Sequence, residues 1–261
     1  MRSTPECIQA CFNSNRIHLA IREVPALNKR MRKVPAAVTS AILTLILAPA
    51  AIQQARAQSE PYPAMAPLKE YLMPKDAEIA LARSAAPASI SDGATVMVLA
   101  QSGYTDSVQG TNGFVCLVER SWANTTDNPE FWNPKARAPH CFNAPAAKSF
   151  AQIYLMKSRL VLAGKSKAEI ARAIAAALDR QELPPLAPGS MCYMMSGHQY
   201  LNDRGKSWHP HLMFFAAGDA ANSWGANLGG SPVMATNDPE ARVTTFMVLV
   251  DRWSDGTQDP H

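Results

Sequence analysis

Between residues 68 and 255 the apolar positions fall into five short β-rich runs and three helical stretches. Thr95–Leu99 and Phe114–Val118 are continuous apolar runs of β-formers, each bounded by turn residues: Ser91-Asp92-Gly93 before the first, Gly103 to Asn112-Gly113 between the two. Such runs predict buried strands, and their closeness predicts an antiparallel hairpin. Three further strands are expected at 191–195, 210–216 and 243–250.

Helical spacing appears elsewhere. Residues 68–86 predict a helix broken by Pro74, with Asp76 placed to cap its second half and Ile79 and Leu81 on the buried side. Asn143-Ala144-Pro145 opens a second helix, with Phe150, Ile153, Tyr154, Leu160 and Val161 on one face and Gly164 at its end. Ser166 and Glu169 form a capping box for a third, in which Ile170, Ile174 and Leu178 recur at i, i+4, i+8 before Pro184-Pro185.

Residues 121–142 show no periodicity, and a loop of that length in a compact domain is usually functional or poorly ordered. The connection 217–240, rich in Gly, Asn, Asp and Pro, reads as exposed. Glu119 and Arg120 close the second strand and read as a solvated rim. The expected architecture is a single α+β domain over 68–255. It has an antiparallel sheet of about five strands in the order ββ-αα-βββ, with helices packed on one face. That order is PAS-like or profilin-like by analogy only. Residues 58–67, Pro-rich, read as an extended or disordered segment, and 256–261 as a tail after a turn at Asp251–Gly256.

The N-terminal segment changes the charge picture. Lys29, Arg30, Arg32 and Lys33 precede an uncharged run from Val34 to Ile52, and Ala55-Arg56-Ala57 has the small-x-small form of a cleavage site. This is the pattern of a secretory signal peptide of Sec type, cleaved after Ala57. The run is short for a spanning helix and is interrupted by Pro35 and Pro49. Met31 begins a well-formed signal by itself, so 1–30 reads as an extension ahead of the true start. The chain carries +4 overall, but residues 1–57 hold eight Lys/Arg against two Asp/Glu. The remaining 17 basic and 19 acidic residues give −2, which removes the support for a nucleic-acid or anionic-membrane partner. The expectation is an exported protein, periplasmic or extracellular, with no stable membrane span after cleavage.

Export also changes the reading of the cysteines, because disulfides persist in oxidising compartments. Of Cys116, Cys141 and Cys192, the preferred pair is Cys116–Cys141, which closes one polar loop and would stabilise by ~3 kcal/mol. Cys192 is then a buried thiol or an alternative partner.

Candidate chemistry concentrates between Met191 and His211. His198, Asp203 and one of His209 or His211 could hold zinc with an open position for water. The thioethers of Met191, Met194 and Met195 and the Cys192 thiol would suit copper, and Met with His would suit haem. No HExxH, CxxCH or G-x-S-x-G motif is present. A cysteine with His140 or His209 could form a nucleophilic pair. The balance falls on the plainer reading: the methionines are core, and a small molecule or an envelope protein binds a pocket near Tyr193, Trp208, His211 and Trp224. The alternative is an envelope hydrolase, metal-dependent through His198, Asp203, His209 and His211, or cysteine-dependent.

Gly110-Thr111-Asn112-Gly113-Phe114-Val115-Cys116, the Gly164-Lys165-Ser166 junction, Pro210-His211-Leu212-Met213-Phe214 and Trp224-Gly225-Ala226-Asn227 resemble an uncharacterised family of exported bacterial proteins. The resemblance spans about 70–255 and implies no activity. It makes Pro210-His211 more family-like than His198 or His209.

Overall fold

In the computed structural model, which describes residues 60–260, eight strands form one mixed sheet. The leader features read at 29–57, the start at Met31 and cleavage after Ala57 lie outside the described residues. The strands are β1 Thr95–Ala100, β2 Gly103–Val108, β3 Val115–Glu119, β4 Ala138–Phe142, β5 Met191–Met194, β6 His211–Ala217, β7 Val233–Asp238 and β8 Val243–Leu249. Their order across the sheet is β2-β1-β3-β4-β5-β6-β8-β7. The helices are α1 Lys75–Arg83, α2 Ala88–Ser91, α3 Ala144–Lys148, α4 Phe150–Leu162 and α5 Lys167–Asp179. The class is α+β as expected, but the sheet is larger than five strands and not wholly antiparallel.

The expected hairpin of β1 and β3 is the first correction. These strands run parallel, with Thr95 opposite Val115 and Val96 opposite Cys116. The hairpin partner of β1 is β2, whose Tyr104, Thr105 and Asp106 pair with Leu99, Val98 and Met97. β2 reads as polar because it is an edge strand facing solvent. The chain then crosses back over the start of β1. A Cβ on Gly110 would lie 2.1 Å from the Thr95 nitrogen, so only glycine permits this crossing. It is tied down by Thr111 N–H to Gly93 O (2.8 Å) and Thr95 N–H to Phe114 O (2.9 Å).

Helices cover both faces of the sheet, not one. Val96, Cys116, Val118 and Cys141 pack against Ala82, Ala85 and Ala86 at the end of α1 and just beyond it. Leu117, Phe142, Cys192 and Phe215 face the other way, toward Ile153, Val161, Ile170 and Ile174 of α4 and α5. Side chains alternate along a strand, so the unbroken apolar run in β3 is the mark of a strand buried twice. Small alanines let α1 lie close on one side, while the longer α4 and α5 fill the other. No helix among the described residues is long and apolar enough to cross a membrane.

The third correction concerns the loops. Residues 121–137 are core-building: Trp122 and Phe131 are fully buried, and Asn133 with them. Trp122 Nε1–H donates to Ser158 Oγ (2.9 Å), and Tyr71 O–H donates to Trp132 O (2.7 Å). β4 then emerges from the end of the stretch that had no periodicity. The 217–240 connection likewise contains β7, paired along its whole length with β8. Residues 60–67 hold no regular structure but are docked, with Tyr62, Met65 and Ala66 packed on the core. The turn after Asp251 folds back so that Arg252 pairs with Gln258.

Helix starts follow the sequence closely. Asn143 Oδ1 accepts from Ala146 N–H (3.0 Å), and the capping box of Ser166 and Glu169 is complete. The second helix is nevertheless split at Ser149, whose hydroxyl donates to Pro145 O (2.7 Å). Asp76 sits in the first turn of α1 and does not cap it.

Candidate functional site

Two adjacent charged residues stand at the end of β3. Glu119 and Arg120, expected at a solvated rim, are buried, with 7% and 1% exposure. They leave the strand on opposite sides. Arg120 turns toward α1: its Nη2 donates to Glu78 Oε1 (2.9 Å), its Nε to Tyr71 O (2.8 Å), and its Nη1 to Val118 O. Glu78 Oε1 also accepts from Leu99 N–H (3.0 Å). This buried ion pair ties α1 to β1 and to the end of β3, through Glu78 Oε1 alone; Oε2 is buried without a hydrogen-bond partner.

Glu119 faces the other way, into a cleft of about 440 Å³. The cleft floor is set by strand register. Glu119 lies opposite Ala138 on β4, and His140 opposite Leu117. Met194 on β5 pairs with His211, and Met213 on β6 pairs with Met247 on β8. Glu119, His140, Met194, Met213 and Met247 all line the cleft, and Phe150 of α4 closes one side. Thr236, Asn237 and Asp238 of β7 form the far wall, and Asn124, Ala136 and Leu201 the near one.

The electrostatics of the floor are unusual. Burial pushes the Glu119 carboxyl up to about 8, against the opposing pull of Lys157. Among the described residues no cation is in contact with it: Lys157 binds Glu240 Oε2 (3.5 Å) and Asn124 O (3.1 Å), and Arg120 binds Glu78. Burial pushes His140 down to about 4. At neutral pH the floor therefore holds a carboxylic acid and an uncharged imidazole. His140 Nδ1 lies 3.0 Å from Ala138 O and 3.5 Å from Glu119 Oε2. A carbonyl only accepts, so Nδ1 carries the proton and Nε2 keeps a lone pair. Among the described residues, neither that Nε2 nor the Glu119 carboxyl has a closer hydrogen-bond partner in the protein.

The predicted site residues are dispersed. His211 is on the cleft face of the sheet, buried, its ring 4.7 Å from that of Trp208, with Nδ1 on His209 O (2.7 Å). Burial lowers it to about 4 as well. Tyr193 projects from the opposite face, against Phe114, because it is one residue out of phase with Met194. Trp224 stacks on Phe246 (4.1 Å) near the far edge and is half exposed. The pocket expected to combine Tyr193, His211, Trp208 and Trp224 is therefore not one site: only Trp208 and His211 meet.

The metal set separates in the same way. His198 is exposed. Asp203 accepts from Tyr62 (2.6 Å), Tyr200 (2.5 Å) and Lys135 (3.1 Å), and these contacts, led by Tyr200, hold its carboxyl well below the usual range. His209 Nδ1 contacts Asp259 (2.6 Å). Among the described residues no group of three or more His, Cys, Asp or Glu is arranged to hold a metal. The cysteines leave no nucleophile on this surface: Cys116 and Cys141 are disulfide-bonded, and burial pushes the Cys192 thiol well up.

A wider depression of about 700 Å³ lies beside Trp208, lined by Asn128, Glu130, Asn202 and Arg204. It is built from loops and holds no buried ionisable floor, so the deeper cleft is the candidate site. Sequence reasoning named His140 only as a partner for a cysteine and missed Glu119. The available signal was its phase: Val115, Leu117 and Glu119 share one face of β3. Comparison with family models, curated proteins and solved structures finds no match for the chain.

Proposed function

We propose that this is an exported protein that binds a small molecule in the Glu119 cleft. One observation carries the reading: a buried carboxyl with no cation in contact among the described residues opens into a cavity that methionine and phenylalanine line on one side and Thr236, Asn237 and Asp238 on the other. Proteins seldom bury an unpaired acid, because desolvation opposes it. Such a group at the floor of an apolar cleft is a common mark of a functional site. The volume suits a ligand of modest size. Export is supported by the leader pattern and is consistent with the Cys116–Cys141 disulfide. The envelope hydrolase has less support, since its proposed metal ligands and cysteines are not assembled.

Two measurements test this. Intact mass of protein from the host envelope should give a chain beginning at Gln58; a full-length cytosolic chain would remove the export reading. Spectra of ¹³C-methyl methionine, recorded during a fragment screen, should show shifts at Met194, Met213 and Met247. Binders that move only other methionines, or none that move any, would remove the cleft as the site.

A further inference from the structure

We propose that the polar end of the ligand is a primary carboxamide, received by Glu119 and His140 together, with an apolar body lying over Met194, Met213 and Met247. This rests on the cleft being the ligand site and names what it takes.

The ligand's donors and acceptors must complement those of the floor. An anionic head group finds no cation on the floor, because Lys157 and Arg120 are committed to Glu240 and Glu78. On the floor, away from the polar wall of Thr236, Asn237 and Asp238, the groups available are three. The Glu119 carboxyl, kept neutral by burial, offers one O–H donor and one C=O acceptor. His140 Nε2 offers an acceptor, since Nδ1–H is turned to Ala138 O. The complement is a group with one acceptor and two donors on a planar frame. A primary amide has that pattern: its C=O accepts from the Glu119 O–H, one N–H donates to the Glu119 C=O, and the other N–H donates to His140 Nε2. A carboxylate would meet a single donor and two lone pairs. An ammonium at the floor would require Glu119 to ionise in a site that disfavours charge, since the Asp238 carboxylate stands on the far wall and already accepts from the Glu240 and Ala241 N–H groups. Beyond the head group, Met213 and Met247 are cross-strand partners and Phe150 faces them, so the body of the ligand meets flexible apolar side chains.

The test uses three probes with one tail: hexanamide, hexanoate and hexylammonium, titrated into the mature chain and followed by the Met194, Met213 and Met247 methyl signals. Hexanamide should bind most tightly, the two charged probes about tenfold or more weaker, a difference of about 1.4 kcal/mol. Glu119→Gln, which also pairs with an amide, should hold hexanamide within about threefold, whereas Glu119→Leu should weaken it about tenfold or more. A charged probe that binds as well as hexanamide, or an unchanged affinity in Glu119→Leu, overturns the carboxamide assignment and leaves the cleft as the site. If no probe moves these methyls while a fragment screen moves them, the head group is wrong. If nothing moves them, the cleft reading itself is wrong.

Discussion

Glu78 and Glu119 are both buried acids within reach of one short segment of β3, yet they are opposite kinds of site. Glu78 meets a guanidinium at 2.9 Å, and Arg120 in turn meets two backbone carbonyls. Glu119 meets an imidazole that burial keeps uncharged, and otherwise faces a cavity. The first is paired with a cation and holds elements together. The second opens onto the cleft. Under the proposed reading, a buried carboxyl serves the fold or a ligand according to whether the protein supplies its countercharge, not according to its depth.

The closed pair should give the largest effect. Replacing Arg120 with Met leaves Glu78 buried without its cation, and replacing Glu78 with Ala strands Arg120. Either change should lower stability by about 3–5 kcal/mol, read by urea denaturation at pH 7. If both cost less than about 1 kcal/mol, the pair does not anchor α1 to the sheet.

Next comes the disulfide. Cys116 and Cys141 are directly opposed across β3 and β4, on the α1 face, one residue from Leu117 and His140 on the cleft face. The bridge therefore fixes the register that places Glu119 beside His140. The double change to Ser should cost about 3 kcal/mol. It should also broaden the Met194 and Met213 methyl signals if the cleft floor depends on that register. Peptide mapping that recovers both cysteines as free thiols from the host envelope would remove the premise.

The open site should be visible in the pH dependence of stability. The folded chain keeps the Glu119 proton up to about pH 8, while the unfolded chain releases it near 4.5. The stability this group contributes is complete below about pH 4.5 and lost as pH climbs to 8. His140 and His211 behave conversely, uncharged in the fold down to about 4 against 6.5 when unfolded. Their contribution is complete above about pH 6.5 and lost as pH falls toward 4. Lys157, Asp238 and Glu240 also lie around this cleft or its rim. For the three shifted groups alone, stability should peak near pH 6.5. Glu119→Gln should abolish the alkaline decline and exceed the parent chain at pH 8.5 by the order of a few kcal/mol. An unchanged alkaline limb would mean that Glu119 is ionised in the fold.

These two sites were unequally legible in the sequence. Caps and helix faces were readable because Asn143, Ser166 and Glu169 act on backbone groups within three residues. The disulfide was readable because both cysteines border one loop. The parallel pairing of β1 and β3 was not, since it depends on Gly110 letting the chain cross the start of β1 where any Cβ would fall 2.1 Å from the Thr95 nitrogen, a long-range steric fact. The phase of a strand was readable and was underused. Counting by twos from Val115 puts Glu119 beside Leu117 on one face. Counting from Met191 puts Tyr193 and Met194 on opposite faces. The histidines and the aspartate of 198–211 look like a cluster only in one dimension; in the fold each has a separate neighbour.

His209 and Asp259 offer the smallest effect and the limit of the comparison. Their contact is short, at 2.6 Å; the Asp259 side chain is only 6% exposed, but His209 is 31% exposed, so water competes from the imidazole side. Such a pair is worth about 0.2–1 kcal/mol, far below the buried pair at Arg120 although its distance is shorter. Asp259→Asn should therefore cost less than about 1 kcal/mol at pH 6 and leave the Met194 and Met213 signals in place. A loss of several kcal/mol, or displacement of those signals, would show that the chain end is wedged into the body of the domain and that His211, beside Trp208, is held from that side. Distance would then outrank solvation here, against what Glu78 and Glu119 teach.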